Sequence, residues 1–421
     1  MTSLRSLSGL ALTLSIAACG TTQSTAVAYT DATVWDGTGA PPEPNATIVV
    51  DGGRIVAVGA DVDVPRGATT VSLEGRHVIP GLIESHGHVT GAWAPEGVTD
   101  PMARVREDLL LYARYGVTTV NSLGDDQTVI AVRDAQSPTD ARARVLAAGP
   151  VIGGPDSDAA SARAEATAIA EMGVDWLKLR VDDNLGSGRK MPWEAVAAVM
   201  EVGRERDIRV ATHMFYLEDA KQLLELGTGM LAHSVRDVDV DAELISMLRE
   251  RDVCYVPTLV REVSTFVYGD RPDFFDDPFF QEHAHPGELA RASDPGFMQR
   301  MKASASAAAY RVALGQAQEN LKALSDAGVP IAFGTDAGPS ARFPGYFEHM
   351  ELQLMVDAGL TPEQALRSAT GVAANCLGLD DIGTLEPGRW ADFVVLGADP
   401  LQDIQATTTL ERVFIGGHEV Q

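Results

Sequence analysis

The chain has 421 residues, 45% of them hydrophobic and 40 of them glycine, enough to bury one large core beside a smaller one. A formal net charge of -26 excludes electrostatic capture of nucleic acid or of an anionic lipid surface. An acidic, soluble exterior accounts for that charge and says nothing about substrate.

At the N-terminus, Arg5 precedes an apolar run over 7–18, too short for a stable membrane anchor and suited to the core of a signal peptide. The run ends in Ile16-Ala17-Ala18-Cys19, which resembles a bacterial lipobox with Cys19 as the lipidated residue. Gly20 follows instead of Asp, which by the same resemblance points to the outer membrane. The alternative is an ordinary cleaved signal and a soluble periplasmic protein. Residues 1–18 are therefore expected as the signal peptide and 19–26, rich in Thr and Ser, as a lipidated tether. Cys254 and Cys376, in a strand-like and a helix-like stretch, are expected as buried free thiols, although an exported chain could pair them.

From Thr33 the pattern turns to β structure. Runs at 48–50 and 55–58 flank Asp51-Gly52-Gly53-Arg54, a hairpin signal. Matching β runs recur at 391–396 and 412–417. Residues 27–77 and 381–421 are thus expected as two halves of one small β-sandwich. Between them, over 78–380, short apolar strands alternate with amphipathic helices, the mark of a parallel α/β fold. Strands are predicted near 78–84, 118–121, 144–148, 176–179, 209–212, 230–232, 254–256 and 331–334, with helices such as 101–115, 192–206, 217–226 and 241–251. Eight such strands predict a (β/α)8 TIM-type barrel, whose active site gathers at the C-terminal ends of its strands.

Chemistry-bearing residues recur at those ends. His86-Gly87-His88 closes the first strand, and side chains two apart on a strand share a face, so both imidazoles can grip one ion. Lys178, His213, His233 and Asp336 end or follow strands four, five, six and eight. Imidazole and carboxylate suit zinc and its neighbours, and four histidines with one carboxylate exceed the needs of one tetrahedral ion, so two divalent ions are expected. An ammonium would repel them. A buried lysine with a lowered pKa can instead add carbon dioxide, and the carbamate on Lys178 can bridge both ions.

The motif over 80–88, Asp175-Trp176-Leu177-Lys178-Leu179, His213, Ala232-His233-Ser234 and Gly334-Thr335-Asp336-Ala337 together resemble the amidohydrolase superfamily. The likeness is to its binuclear, carboxylated-lysine branch, similar to imidazolonepropionases and Xaa-Pro-type dipeptidases. The tail over 384–392 resembles the segment that returns such chains to their β-sandwich. The resemblance implies that His86, His88 and Asp336 hold a buried ion, that His213 and His233 hold a more exposed one, and that Lys178 and a hydroxide bridge them. It also makes Asp336 the residue that accepts the hydroxide proton and returns it to the leaving group. Two departures stand out: Glu84 replaces the usual Asp, and His213-Met214-Phe215-Tyr216 replaces smaller or more polar residues.

Arg180, Tyr216 and Arg261 are candidate substrate contacts, with surface or salt-bridge roles as the alternative. His283-Ala284-His285 repeats the first pair's spacing without a preceding strand and is expected on the surface or in a lid. Phe274, Phe275, Phe279 and Phe280 lie in the same insertion, either as a hydrophobic lid or as its anchor. The expected activity is hydrolysis of an amide bond in a dipeptide or N-acyl amino acid. A lactonase, esterase or carbamate hydrolase on the same centre, a mononuclear deaminase, or a non-catalytic surface lipoprotein remain as alternatives. The expected partners are a small-molecule substrate, no nucleic acid, a membrane only through the lipid anchor, and in some settings a second copy of the chain.

Overall fold

Both ends of the chain are rich in β-branched and aromatic residues, and in the computed structural model they form one sheet. Residues 25–251 and 253–421 are described. The signal segment and Cys19 lie outside them. The N-terminal strands are β1 (Val27–Val34), β2 (Glu43–Asp51), β3 (Arg54–Gly59), β4 (Thr69–Ser72) and β5 (His77–Pro80). Central strands follow as β6 (Leu82–Gly87), β7 (Val117–Ser122), β8 (Arg144–Ala147), β9 (Trp176–Arg180), β10 (Arg209–His213), β11 (Met230–Ala232) and β12 (Cys254–Val256). The C-terminal strands are β13 (Phe393–Leu396), β14 (Leu410–Ile415) and β15 (His418–Glu419).

The terminal sheet runs β15-β14-β13-β5-β1-β2-β3, with β4 beside β1. Its two halves meet where β13 pairs antiparallel with β5, from Phe393 opposite Pro80 to Leu396 opposite His77. Tyr29, Phe393 and Phe414 pack on its buried face, the last two stacked with ring centroids 4.4 Å apart.

One difference from the expected elements concerns the entry to the barrel. The run predicted as a single strand over 78–84 is two strands, and β5 belongs to the terminal sheet while β6 opens the barrel. Pro80 lacks an N–H for further pairing, and a Cβ on Gly81 would lie 2.2 Å from Thr118 Oγ1, so this sharp change of sheet requires glycine.

In the barrel, β6-β7-β8 and β9-β10-β11-β12 form two parallel groups, bridged by Ile152 beside Leu179. The eighth position, expected as a strand over 331–334, is an extended segment with a single bridge from Ile331 to Tyr255. It still closes the barrel, because Ala332 N–H donates to Tyr255 at 3.0 Å and Ser85 N–H donates to Phe333 at 3.0 Å. The outer layer comprises α1 (Pro101–Arg114), α2 (Gln127–Ala135), α3 (Ala159–Ala170), α4 (Trp193–Arg206), α5 (Leu217–Leu226), α6 (Ala242–Glu250) and the short α7 (Leu259–Val263). Local signals start these helices: Asp100 caps α1 ahead of Pro101, and Asp158 with Ser161 forms a capping box on α3.

An insertion follows strand seven, with α8 (Pro278–His283), α9 (Pro286–Ala292) and α10 (Pro295–Lys302) leading into α11 (Ala305–Asp326). Its Phe275 and Phe280 are buried against Phe343 and Phe347, and Tyr115 meets Phe279 edge-on, so these rings anchor the insertion to the barrel top. The second His-x-His pair is structural. His285 accepts from Glu288 N–H at 3.2 Å at the start of α9, and His283 stands edge-on to Tyr115. Three helices, α12 (Tyr346–Asp357), α13 (Pro362–Ser368) and α14 (Gly371–Leu377), complete the chain before β13.

The cysteines correct the expectation of free thiols: Cys254 and Cys376 form a disulfide. The strand-like and helix-like patterns were read separately, whereas the fold lays α14 beneath the start of β12 with the two Cα atoms 5.5 Å apart, inside disulfide range.

Candidate metal centre

The period-2 alternation of the extended chain through β6 and one residue beyond it turns His86 and His88 toward the barrel axis, where Asp336 meets both. His88 Nε2 lies 2.8 Å and His86 Nε2 3.8 Å from Asp336 Oδ1. Ligand atoms of these three residues all lie within 4.8 Å of one another. Lys178 reaches in from β9, its Nζ 3.2 Å from His86 Nε2, the one hydrogen-bond partner it has among the described residues. His213, ending β10, and His233, following β11, bring Nδ1 and Nε2 to 2.7 Å of each other. The His233 ring is also 4.7 Å from that of His86, so the two groups adjoin.

Backbone geometry supports this convergence. Asp336 and His233 have φ of 61° and 91°, left-handed values that a non-glycine residue adopts at a cost of roughly 1–3 kcal/mol. Asp336 N–H donates to His86 O at 2.6 Å and His88 N–H donates to Ala337 O at 2.8 Å, which ties the first strand to the eighth. A Cβ on Gly338 would sit 2.0 Å from His88 O, so the close crossing there also depends on glycine. Glu84, the departure from the usual Asp, stays in register with this frame. Its Oε1 accepts from His86 N–H at 2.7 Å and from Thr335 N–H at 3.1 Å.

Burial sets the electrostatics. It holds His86 and His233 well below the usual histidine range, and lowers His213 to about 3 against the opposing pull of Asp182. Burial also pushes Lys178 down to about 7, with Asp336 opposing and Arg180 assisting. Burial works to raise Asp336, but Arg342 and the neighbouring imidazoles outweigh it and keep the carboxyl well below its ordinary value. His86, His213 and His233 are therefore neutral imidazoles, beside one ionised carboxylate. Such a set fits divalent first-row ions; His86 turns Nε2 toward Lys178 and Asp336, while its buried Nδ1 has no hydrogen-bond partner among the described residues.

A cavity of about 210 Å³ opens over these residues, lined by His86, His88, Lys178, His213 and Asp336 with Leu123, Val151, Arg180, Arg261 and Arg342. Two of the candidate substrate contacts are in it. Arg180 is half-exposed at its mouth, paired with Asp182 at 3.2 Å. Arg261 is buried, with NH1 donating to Glu262 at 3.1 Å, while its Nε, 3.8 Å from Asp336 Oδ2, has no hydrogen-bond partner among the described residues. Tyr216, expected beside them, does not line the cavity. Its hydroxyl donates to Asp183 at 2.7 Å and Lys190 sits 4.1 Å over its ring, so the outward turn of the chain after His213 commits it elsewhere.

Three residues escaped sequence reasoning. Arg342 NH1 is 2.5 Å from Asp336 Oδ2 and comes from a loop with no periodic signal. Thr258 Oγ1 is 2.6 Å from His233 Nδ1. Asp182 Oδ2 is 2.8 Å from His213 Nε2. Only Asp182 had a signal, since Lys178, Arg180 and Asp182 alternate along one face of the extended chain.

A family model described as the amidohydrolase family matches residues 77–420. The chain belongs to the amidohydrolase family. It is a hydrolase of carbon-nitrogen bonds from a metal-dependent family, on a TIM-type barrel with a sheet domain built from both termini. This amidohydrolase is 25% identical over 399 residues to an imidazolonepropionase of Deinococcus radiodurans, a match covering 89% of this chain and 92% of that one. It is 26% identical over 406 residues to a 5-methylthioadenosine/S-adenosylhomocysteine deaminase of Halobacterium salinarum, covering 89% and 83%. Among solved structures, a Xaa-Pro dipeptidase with bound methionine in its active site superposes with a TM-score of 0.72 at 22% identity, covering 94% of this chain and 99% of that one, a likeness of fold.

Proposed function

We propose that this amidohydrolase is a binuclear hydrolase that cleaves the amide bond of a dipeptide or an N-acyl amino acid. The observation that carries the two-metal reading is Lys178, buried with its amine against His86 instead of a carboxylate. A structural salt-bridge lysine would face an acid. An amine in this position can take up carbon dioxide, releasing one proton, to give a carbamate whose two oxygens serve two ions. His86, His88 and Asp336 would hold one ion, His213 and His233 the other, with carboxylated Lys178 between them. Two divalent ions, zinc by the softness of the donors, supply a hydroxide nucleophile near neutral pH when bound and polarise the scissile carbonyl.

The chain's own residues do the rest. Asp336, within reach of the His86 and His88 imidazoles, accepts the nucleophile's proton and delivers it to the departing amine. Arg180, Arg261 and Arg342 line the cavity and meet Asp182, Glu262 and Asp336 in turn, and the Nε of Arg261, without a hydrogen-bond partner among the described residues, is the donor left for a substrate carboxylate. Leu123 and Val151 offer an apolar wall for the acyl portion.

The test is a screen of dipeptides, N-acyl amino acids, lactones and carbamates with the metal-loaded form lacking the segment through Cys19. Carboxylate-bearing amides are expected to turn over, with two ions per chain by elemental analysis. One ion per chain with ammonia release from a nucleobase would refute the reading. We further propose that the mature protein is exported and anchored through Cys19 at the outer membrane. The Cys254–Cys376 disulfide supports an oxidising compartment. An unmodified N-terminus in the mass of the membrane-extracted protein would overturn the anchor.

A further inference from the structure

The wall of the cavity differs from one side to the other in what it can offer a bound molecule. Leu123 follows β7 and Val151 follows β8, the second and third barrel positions, while Arg261 follows β12, the seventh. In a closed ring of eight positions the third and seventh lie opposite, so the apolar side faces Arg261 across the barrel axis. Gly124 keeps the apolar side close to the metal ligands: a Cβ there would lie 3.0 Å from Val151 Cγ2 and 3.5 Å from His88 Cε1. Val151 is 42% exposed, the one large apolar side chain of this wall left open to solvent among the described residues. A group seated against it would take that surface out of water.

The charged group beside the apolar side is a cation. Ile152 N–H donates to Lys178 O at 2.7 Å and Ile152 is bridged to Leu179, which sets Val151 beside the strand end that carries Arg180. Acids are close by, but each is committed. Asp336, the one carboxylate in the wall among the described residues, meets His88 and Arg342. Buried Asp182 is held by His213, Arg180 and Asn184, and buried Glu262 by Arg236 and Arg261. Around the cavity, then, Arg261 Nε is a donor without a partner, while each of these carboxylates already has one.

A dipeptide carries an ammonium on the carbon next to its scissile carbonyl, where an N-acyl amino acid carries carbon or hydrogen. With its carboxylate at Arg261, a dipeptide would set that ammonium against Leu123 and Val151 beside Arg180, desolvated and without an acceptor. We infer that the preferred substrate is an N-acyl amino acid whose acyl end is apolar and uncharged, lying on Leu123 and Val151 while its carboxylate reaches Arg261. The inference rests on the amide-hydrolase reading above and narrows it to one of its two substrate classes.

The experiment compares alanyl-Xaa with isobutyryl-Xaa, for each common amino acid Xaa, on the metal-loaded mature protein. The two compounds differ by a methyl group in place of the ammonium, and release of Xaa gives kcat/KM for both. At pH 7 the isobutyryl series is expected to lead by at least about 10-fold, because an α-amine of pKa about 8 is only about one tenth neutral there. That lead should shrink by about 5–10-fold between pH 7 and pH 9 as the amine loses its proton. A ratio of two substrates on one enzyme cancels the titration of the enzyme itself. Val151→Asp places an acceptor in the apolar wall and should shift the ratio at pH 7 toward the dipeptides by about 10–100-fold. Equal or faster turnover of the alanyl series at pH 7 would overturn this inference and leave the amide hydrolase standing. A ratio unmoved by Val151→Asp would overturn the placement of the acyl end on this wall. Hydrolysis of neither series for any Xaa would overturn the amide-hydrolase reading itself, and this inference with it.

Discussion

At the scale of single residues, the centre is a set of side chains whose neighbours decide their chemistry. Replacing Lys178 or Asp336 by alanine removes the proposed bridge or the proton carrier, and kcat is expected to fall by at least about 10²–10⁴-fold. Steady-state assays of the purified, metal-loaded variants check this, and normal turnover by either would refute the mechanism. The arginines should separate binding from chemistry. Arg261→Met is expected to raise KM for a dipeptide by about 10–100-fold, a carboxylate contact of roughly 1.5–3 kcal/mol, while leaving the corresponding dipeptide amide nearly unaffected. An equal loss on both substrates would remove Arg261 from carboxylate recognition. The inward-facing histidines, Lys178 and Asp336 were legible because each ends a short apolar run, and a strand end is a local property of sequence. Arg342 was not, since its approach to Asp336 depends on a loop closed by Gly338 N–H donating to Arg342 O at 3.0 Å. Tyr216 was misplaced for a related reason, as adjacency to a strand end does not fix the direction of the chain beyond it.

At the scale of elements, periodicity located most barrel strands and helices, for example β11, β12 and α5 at their observed limits. It failed where one apolar run serves two sheets, because hydrophobicity does not reveal the turn at Gly81. It also failed at the disulfide, which joins elements 122 residues apart and leaves no local trace. That link pins α14, the last helix before the return to the sheet, to β12. Replacing both cysteines by alanine is expected to lower unfolding stability by about 2–5 kcal/mol, read from the denaturant midpoint under oxidising conditions. An unchanged midpoint would show that packing alone secures α14.

At the scale of the molecule, His349 joins three regions. It lies on α12, contacts the carbonyl of Tyr115 after α1 at 2.8 Å, and reaches Thr407 between β13 and β14 at 2.9 Å. Burial lowers it from 6.5 to about 4, so the folded protein keeps this imidazole neutral while the unfolded chain protonates it below pH 6.5. A lowered histidine therefore costs nothing above pH 6.5, and its contribution is lost as pH falls from there toward 4. The expected destabilisation is at most about 3 kcal/mol. Urea unfolding at pH 7.5 and 4.5 should show a smaller pH dependence in His349→Gln than in the wild type. The same slope in both would assign the effect to other groups.

The pairing of β5 with β13 also dictates the order in which the molecule can be completed. Residue 80 meets residue 393, so the edge of β5 stays open until nearly the whole chain is available. A strand waiting that long is a site for wrong pairing, and contacts so distant in sequence form slowly. Under the export proposed above, this delay would be an advantage: the N-terminal strands would have no finished sheet to enter before translocation ended, and the last strands to arrive would seal the first.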